Sequence, residues 1–417
     1  MKTDVTQKDY CATIVQVTSL VPLAGCDNVQ GFPIHGHQAI VSINTKVGDV
    51  WVLFTAETQL SHEYVMTNNL YRHQELNSDI LQKGYIEDNR RVKAMKFRGH
   101  KYSAFFMPLE SLSYLGVNPE EFAIGDTFNS INGIGVCIKY LVKKDGDRGN
   151  NVRWKTKKFK RIDNKTFPGH LDSDNYFKNT HMFNDTDEIT ITQKLHGTSG
   201  RFGYVKVRRQ LNWFENLLKR LGIKINEVEY DYIAGSRRVI KDMKSSSQFG
   251  HYYNSDLWNQ TLDSIKDQLP KDYILYGEII GWVDGNTPIQ RGYTYKVPAW
   301  TNELYIYRIS IVNEDGIAID LSFDQIVQFC NNVWLKHVPI LGKMIHRNFK
   351  VDEYMDIKYH TAMDARALPL DNNSPCDEGI VVRKEGLAPY LAKAKCPLFY
   401  EHETKMMDAW VEDVESE

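Results

Sequence analysis

Between Ala12 and about Leu141 apolar residues come in short alternating runs: Ala12-Thr13-Ile14-Val15-Gln16-Val17, Ala39-Ile40-Val41-Ser42-Ile43, Val50-Trp51-Val52-Leu53-Phe54, Val92-Lys93-Ala94-Met95-Lys96-Phe97 and Ser103-Ala104-Phe105-Phe106-Met107. Successive side chains of a strand point to opposite faces, so alternation of this kind predicts half-buried strands. Gly, Pro and Asn separate the runs, which predicts a small antiparallel barrel. Roughly five strands with basic and aromatic residues on the loops make an OB-like barrel, a surface suited to single-stranded or nicked nucleic acid. The plainer alternative is a barrel that serves only as a platform.

The alternation stops at Asp145-Gly146-Asp147-Arg148-Gly149-Asn150-Asn151, small polar residues that cannot bury enough apolar surface to order a backbone. Longer alternations of strand and helix follow. Leu211, Phe214, Leu217, Leu218 and Leu221 predict an amphipathic helix over 208–221, and Ile326, Val327, Phe329 and Val333 a second over 323–335. The expected organisation is α+β: an OB-like domain over 1–145, a basic linker over 146–165, and a domain of antiparallel sheets flanked by helices over 166–417. A length of 417 residues is itself more than one ordinary core accommodates.

The net charge is only −2, so any affinity for nucleic acid must come from local clusters. Two are present. One holds Arg90, Arg91, Lys93, Lys96, Arg98 and Lys101; the other holds Arg153, Lys155, Lys157, Lys158, Lys160 and Arg161, with Trp154 and Phe159 between them. Either is also what an ordinary solvated face looks like. Arg90, Arg91, Lys96, Lys155, Lys157 and Lys158 are the expected contacts to nucleic acid. Six scattered cysteines without Cys-x-x-Cys pairs disfavour a zinc site and a disulfide framework. No signal-like apolar core follows Met1, and no apolar run is long enough to span a bilayer. These features predict a monomer in the cytoplasm or another reducing compartment, with no secretion signal and no membrane partner.

The candidate chemistry lies in the second half. Glu188-Ile189-Thr190-Ile191-Thr192-Gln193 is a strand that delivers Lys194 at its end, and Gly197 then permits a tight turn. An amine at a loop mouth is a candidate nucleophile, and it must lose its proton to attack. Lys393, Lys395 and Arg237 are the cations expected to favour that loss. Tyr276-Gly277-Glu278 puts a carboxylate inside an apolar strand, where something must compensate it. Glu378 stands at the lip of a second such strand, Gly379-Ile380-Val381-Val382. Two carboxylates on one pocket suit ribose hydroxyls or a divalent cation, whereas either alone also fits a buried salt bridge. Lys393 and Lys395 alternate, so on a strand they share a face.

In this order the strings resemble an ATP-dependent RNA ligase of the covalent nucleotidyltransferase superfamily, over about residues 166 to 400. Lys194-Leu195-His196-Gly197 resembles the first motif, in the Lys-x-His-Gly form of nick-sealing and editing-type RNA ligases. Tyr276-Gly277-Glu278 resembles the third motif, Tyr305-Ile306-Tyr307 the aromatic motif that stacks on the base, Glu378 to Arg383 the fourth, and Lys393-Ala394-Lys395 the fifth. Ser236-Arg237-Arg238 resembles the intermediate arginine motif. Two departures stand out: Arg308 occupies a position where the family often has Asp, and the stretch between Lys194 and Arg237 is long. The stacking residue is therefore Tyr305 or Tyr307, with Tyr307 favoured, and the arginine is Arg237 or Arg238. About twenty residues follow Lys395, too few for a barrel. This arrangement resembles the branch with an N-terminal OB domain and a C-terminal nucleotidyltransferase domain.

The resemblance implies Lys194 as the catalytic nucleophile. It implies a nucleotide site containing Gln193, Lys194, His196, Gly197, Ser199, Arg237, Glu278, Tyr307, Glu378, Lys393 and Lys395. ATP, held as covalent AMP, and Mg2+ or Mn2+ near Glu278 and Glu378 are the implied cofactors. The implied activity seals 3′-OH/5′-phosphate breaks in nicked or broken RNA, or in duplexes with an RNA 3′-OH strand. An RNA-capping guanylyltransferase and a catalytically inactive end-binding protein are the alternatives.

Overall fold

The computed structural model of the chain describes residues 2–142, 161–242, 256–313, 315–361, 366–386 and 388–409. These residues form several sheets and five α-helices, an α+β architecture. They cluster into two packing units. The first contains the described residues up to 142 together with 174–180 and 394–409, and the second the remainder.

The first unit is built on β1 (Ala12–Gln16), β2 (Val21–Pro22), β3 (Val29–Ile34), β4 (His37–Ser42), β5 (Val50–Thr55), β6 (Ala104–Pro108) and β7 (Thr127–Phe128). Their order in one sheet is β7-β1-β5-β6-β4-β3-β2. Pairing is antiparallel except between β4 and β6, where Ala104 meets Ala39 in parallel. The alternation read in the sequence becomes two apolar faces. Ile14, Val52 and Phe54 pack with Tyr64 and Val65 of helix α1 (His62–Thr67), while Val15, Phe32, Val41 and Leu53 pack on the other side. Of the run 92–97 only Met95–Phe97 is a strand.

In the second unit, β8 (Glu188–Gln193) belongs to the smaller of two sheets. A larger sheet contains β9 (Thr198–Arg208), β10 (Val228–Gly235), β11 (Ile240–Lys241), β12 (Tyr273–Gly281), β13 (Asn302–Val312) and β14 (Ala318–Asp320), in the order β11-β10-β9-β12-β13-β14. The smaller sheet includes β15 (Ile340–Ile345), β16 (Gly379–Lys384) and β17 (Tyr390–Lys395), of which 390–393 count in this unit, with neighbours in the order β15-β8-β16-β17. Ile162, Phe167, Val205, Ile233, Ile274 and Tyr276 form part of the core of this unit. Ile162 is already in that core, four residues before 166. The expected linker lies outside the described residues up to 160, and Lys155, Lys157 and Lys158 with it.

Helix α2 (Trp213–Arg220) is shorter than the expected 208–221. The period-two pattern of Tyr204 to Arg208 keeps β9 going, and an Asn212/Glu215 capping box then starts the helix. Helices α3 (Leu257–Ile265) and α4 (Phe323–Val333) pack on β10 and β13. Helix α5 (Pro397–Asp408) belongs to the first unit. No helix among the described residues is long and apolar enough to cross a membrane.

Candidate active site

Lys194 directly follows β8, and β9 starts at Thr198, so Lys194-Leu195-His196-Gly197 is the corner that carries the chain from one sheet to the other. Register fixes what surrounds this corner. Gln193 faces Ile380 of β16, and the Lys194 amide donates to Gly379 O at 2.9 Å, which brings Glu378 beside the lysine. Ser199 faces Glu278 across β9 and β12. Gly197 is required by close approach: a Cβ there would lie 2.3 Å from Ile279 O. The turn glycine of the sequence reading thus answers to packing.

Lys194 Nζ pairs with Glu378 Oε1 at 2.7 Å, and the Glu378 side chain is wholly buried. A buried carboxylate therefore stands at the amine, and Arg237 lines the same cavity. His196 Nδ1 is 3.6 Å from Glu378 Oε2, and its ring meets Tyr293 edge-on at 5.1 Å. The buried Glu278 carboxylate is compensated by the Gly197 amide, which donates to Oε1 at 3.0 Å, and by the Ser199 hydroxyl, which donates to Oε2 at 3.2 Å. These charge-assisted bonds hold an anion in place at modest desolvation cost.

A cavity opens over this corner, and its walls include Lys194, Gln193, Ser199, Arg237, Glu278, Tyr307 and Arg383, with Leu195, Val338, Val381 and Leu391 as apolar lining. Gln193 is braced by a reciprocal pair: its Nε2 donates to Leu368 O at 3.2 Å and its Oε1 accepts from the Leu368 amide at 2.7 Å. Arg237 pairs with Asp172 at 2.9 Å and lines the cavity, while Arg238 is exposed. Tyr307 also lines it, whereas Tyr305 is buried with its hydroxyl on Glu303 at 2.7 Å. The two tyrosines diverge because of a β-bulge: Tyr276 faces Arg308 and Gly277 faces Ile306, so Tyr307 is the extra residue. From Leu391 on, the half-buried positions of β17 are Leu391, Lys393 and Lys395, alternating with buried Ala392 and Ala394, so both lysines share the face of Leu391. Lys395 Nζ is bonded to Glu403 of α5 at 2.8 Å.

Several contributors have no motif. The Tyr295 hydroxyl accepts from the His196 amide at 2.7 Å, and Gln290 Nε2 donates to Gly197 O at 3.0 Å. Burial pushes the Tyr295 hydroxyl well above its ordinary pKa, with Asp377 adding to the shift. Burial likewise raises the Asp377 carboxyl well above the usual range, against the lowering effect of Gln193. His170, Leu171 and Ser173 supply a further wall from upstream of Lys194. The only visible sequence signal is the clustering of aromatics around Gln290 to Tyr295.

The first basic cluster is placed differently from a solvated patch. Arg91 is buried against Glu57 at 3.4 Å with Thr404 O at 2.8 Å. Lys93 pairs with Glu87 and Asp408, and Lys96, nearly half exposed, with Glu401 at 3.3 Å. Arg90 is half-buried. In the second cluster Arg161 is buried among Glu229, Asp231 and Asp242 at 2.7–3.0 Å. Apart from Glu87, these partners lie far away in sequence, which is why local charge counting reads such residues as free.

The family model described as RNA ligase matches residues 187–395. No curated protein sequence matches the chain. Among solved structures, the chain is similar to Naegleria gruberi RNA ligase with ATP and Mn, at 16% identity and TM-score 0.58, covering 96% of this chain and 99% of that one. A form of the same enzyme with AMP and Mn gives 16% identity and TM-score 0.59, over 95% and 99%. A third, with PPi, gives 16% and 0.58, over 96% and 100%. At this identity the likeness speaks for the shared fold.

Proposed function

The chain belongs to the RNA ligase family, and on that premise we propose that it is an ATP-dependent RNA ligase that seals 3′-OH/5′-phosphate breaks through a lysyl-AMP intermediate. The observation that carries this reading is the Lys194 amine, held by buried Glu378 at 2.7 Å at the rim of a cavity that also contains Glu278, Arg237 and Tyr307. The walls suit a nucleotide: an aromatic face in Tyr307, an arginine for phosphate or ribose, and apolar side chains for the base. Relatives of the same fold have been seen with ATP, AMP, PPi and Mn, which agrees with that reading.

In the first step the Lys194 nitrogen attacks the α-phosphorus of ATP; a P–N bond forms as the bond to pyrophosphate breaks. Glu378 fixes the direction of the amine, and Arg237, with Lys393 and Lys395 as the resemblance implies, neutralises charge on the phosphate oxygens. In the second step an oxygen of an RNA 5′-phosphate attacks the same phosphorus and the P–N bond breaks, which returns the lysine. In the third, a 3′-OH attacks the 5′-phosphate and AMP leaves. Glu278 and Glu378 are oxygen donors of the kind a hard divalent cation selects, so Mg2+ or Mn2+ fits here and would supply charge neutralisation at the phosphates. His196 acts on the corner itself, packed on Tyr293 with its amide on Tyr295.

The RNA is gripped through phosphates, so sealing weakens steeply with salt. Lys96 and the basic stretch with Lys155, Lys157 and Lys158 are the residues proposed for that grip. Sealing assays on nicked duplexes with RNA or DNA as the 3′-OH strand test the substrate, the expected result being a strong preference for RNA. Labelling with α-labelled GTP in place of ATP is the result that would support capping, and labelling with neither would leave an end-binding protein.

A further inference from the structure

Four consecutive residues upstream of the nucleophile are each tied down by a different long-range bond. Arg201 Nη1 donates to Phe167 O at 2.9 Å, and its guanidinium lies 4.8 Å from the Phe167 ring. The Tyr276 hydroxyl donates to Pro168 O at 2.9 Å. Arg308 Nη1 donates to Gly169 O at 3.3 Å. His170 Nδ1 is 2.6 Å from the Tyr307 hydroxyl, the shortest bond of the four. The next residues continue along the cavity: Leu171 and Ser173 line it, and Asp172 holds Arg237.

The anchors are themselves rigid. Arg201, Tyr276 and Arg308 are buried on β9, β12 and β13, and Arg308 is locked by Asp320 at 2.9 Å and lies 4.3 Å from the Tyr276 ring. Arg308, the departure from the family pattern, thus holds the backbone of Gly169 and, through it, the position of His170. Tyr307 needs such a guide. It is the bulged residue of β13, outside the regular register, so strand geometry alone does not fix where its ring points. His170 also meets Tyr276 edge-on at 5.1 Å, which sets the imidazole plane.

We propose that His170 is a positioning residue for nucleotide binding: held by the Phe167–Gly169 ladder, it bonds the Tyr307 hydroxyl and sets that ring as the wall on which the purine of ATP stacks. This inference rests on the ligase reading of the cavity. It assigns His170 no contact with the reacting phosphate and no part in proton transfer.

The test uses the full-length protein, ATP and Mg2+, and follows label incorporation at varied ATP concentration for wild type, His170→Ala, Tyr307→Phe and the double variant. Loss of one neutral hydrogen bond predicts a rise of about three- to tenfold in KM for ATP in each single variant, with kcat within about twofold. Because both singles remove the same bond, the double variant matches either single instead of multiplying them. His170→Asn, which keeps a polar atom near Nδ1, recovers part of the loss. Melting of each variant is measured alongside; a merely structural role lowers stability and kcat together and leaves the KM-against-kcat split unseen. An unchanged KM in His170→Ala and Tyr307→Phe, or singles that multiply, overturns the proposal while the ligase reading stands. Failure of the wild type to take label from ATP overturns both.

Discussion

Both units of the protein bury an ion pair around a wholly sequestered side chain, yet the two pairs do different work. In the second unit Glu378 holds Lys194, whose amine keeps a small exposure and lines a cavity. In the first unit Arg91 and Glu57 are sealed under helix Pro397–Asp408, which adds Thr404 and Asp408 to the cluster. One pair is poised at a pocket and the other is a latch for the C-terminal helix. Burial of charge by itself does not distinguish machinery from scaffold; access to a cavity does.

If that contrast is right, breaking the two pairs gives opposite signatures. Lys194→Ala abolishes adenylylation, a loss of at least about a thousandfold by removal of the nucleophile, and the folded protein that remains takes no label. Glu278→Ala lowers the adenylylation rate by up to about a hundredfold, as expected for loss of a carboxylate that anchors Gly197 and Ser199 and would hold a divalent cation. Arg91→Ala leaves Glu57 buried and uncompensated and costs about 3–5 kcal/mol of stability, read by urea unfolding, while the surviving folded protein still takes label. An Arg91 variant that is stable but inactive would erase the distinction.

Glu57 sharpens the comparison through pH. Burial pushes its carboxyl up to about 7 from 4.5, against the lowering effect of Arg91. The folded state therefore binds more protons than the unfolded chain between those values, and stability falls as pH rises from about 4.5 through 7. Glu57→Gln flattens that part of the pH–stability curve, measured by chemical denaturation. The smallest expected effect lies on helix Trp213–Arg220, where Trp213 is 79% exposed. Trp213→Ser changes stability by no more than about 0.5 kcal/mol.

Much of the candidate site was legible because its residues sit at strand ends with fixed neighbours. Lys194 after Glu188–Gln193, Glu278 within an apolar strand and Glu378 before another could each be placed by period-two alternation, and β-register then brings them together. Tyr307 was favoured over Tyr305 by resemblance; that Tyr307 and not Tyr305 lines the cavity follows from a bulge, which has no signature in alternation. His170 was missed because its bond to Tyr307 spans 137 residues and follows no spacing rule. The same holds for Arg91, whose partners around Thr404 are 313 residues away, so a buried latch read as part of a basic patch. Residues 397–408, expected with the second domain, form helix α5 of the first unit, where Asp408 pairs with Arg91 and Lys93.

The most direct test of the account is intact-mass analysis of the full-length protein after incubation with ATP and Mg2+, followed by peptide mapping. The account predicts a gain of one AMP moiety on the peptide that contains Lys194, absent in Lys194→Ala. An adduct on another residue, or none from ATP under conditions where the protein is folded, would contradict it.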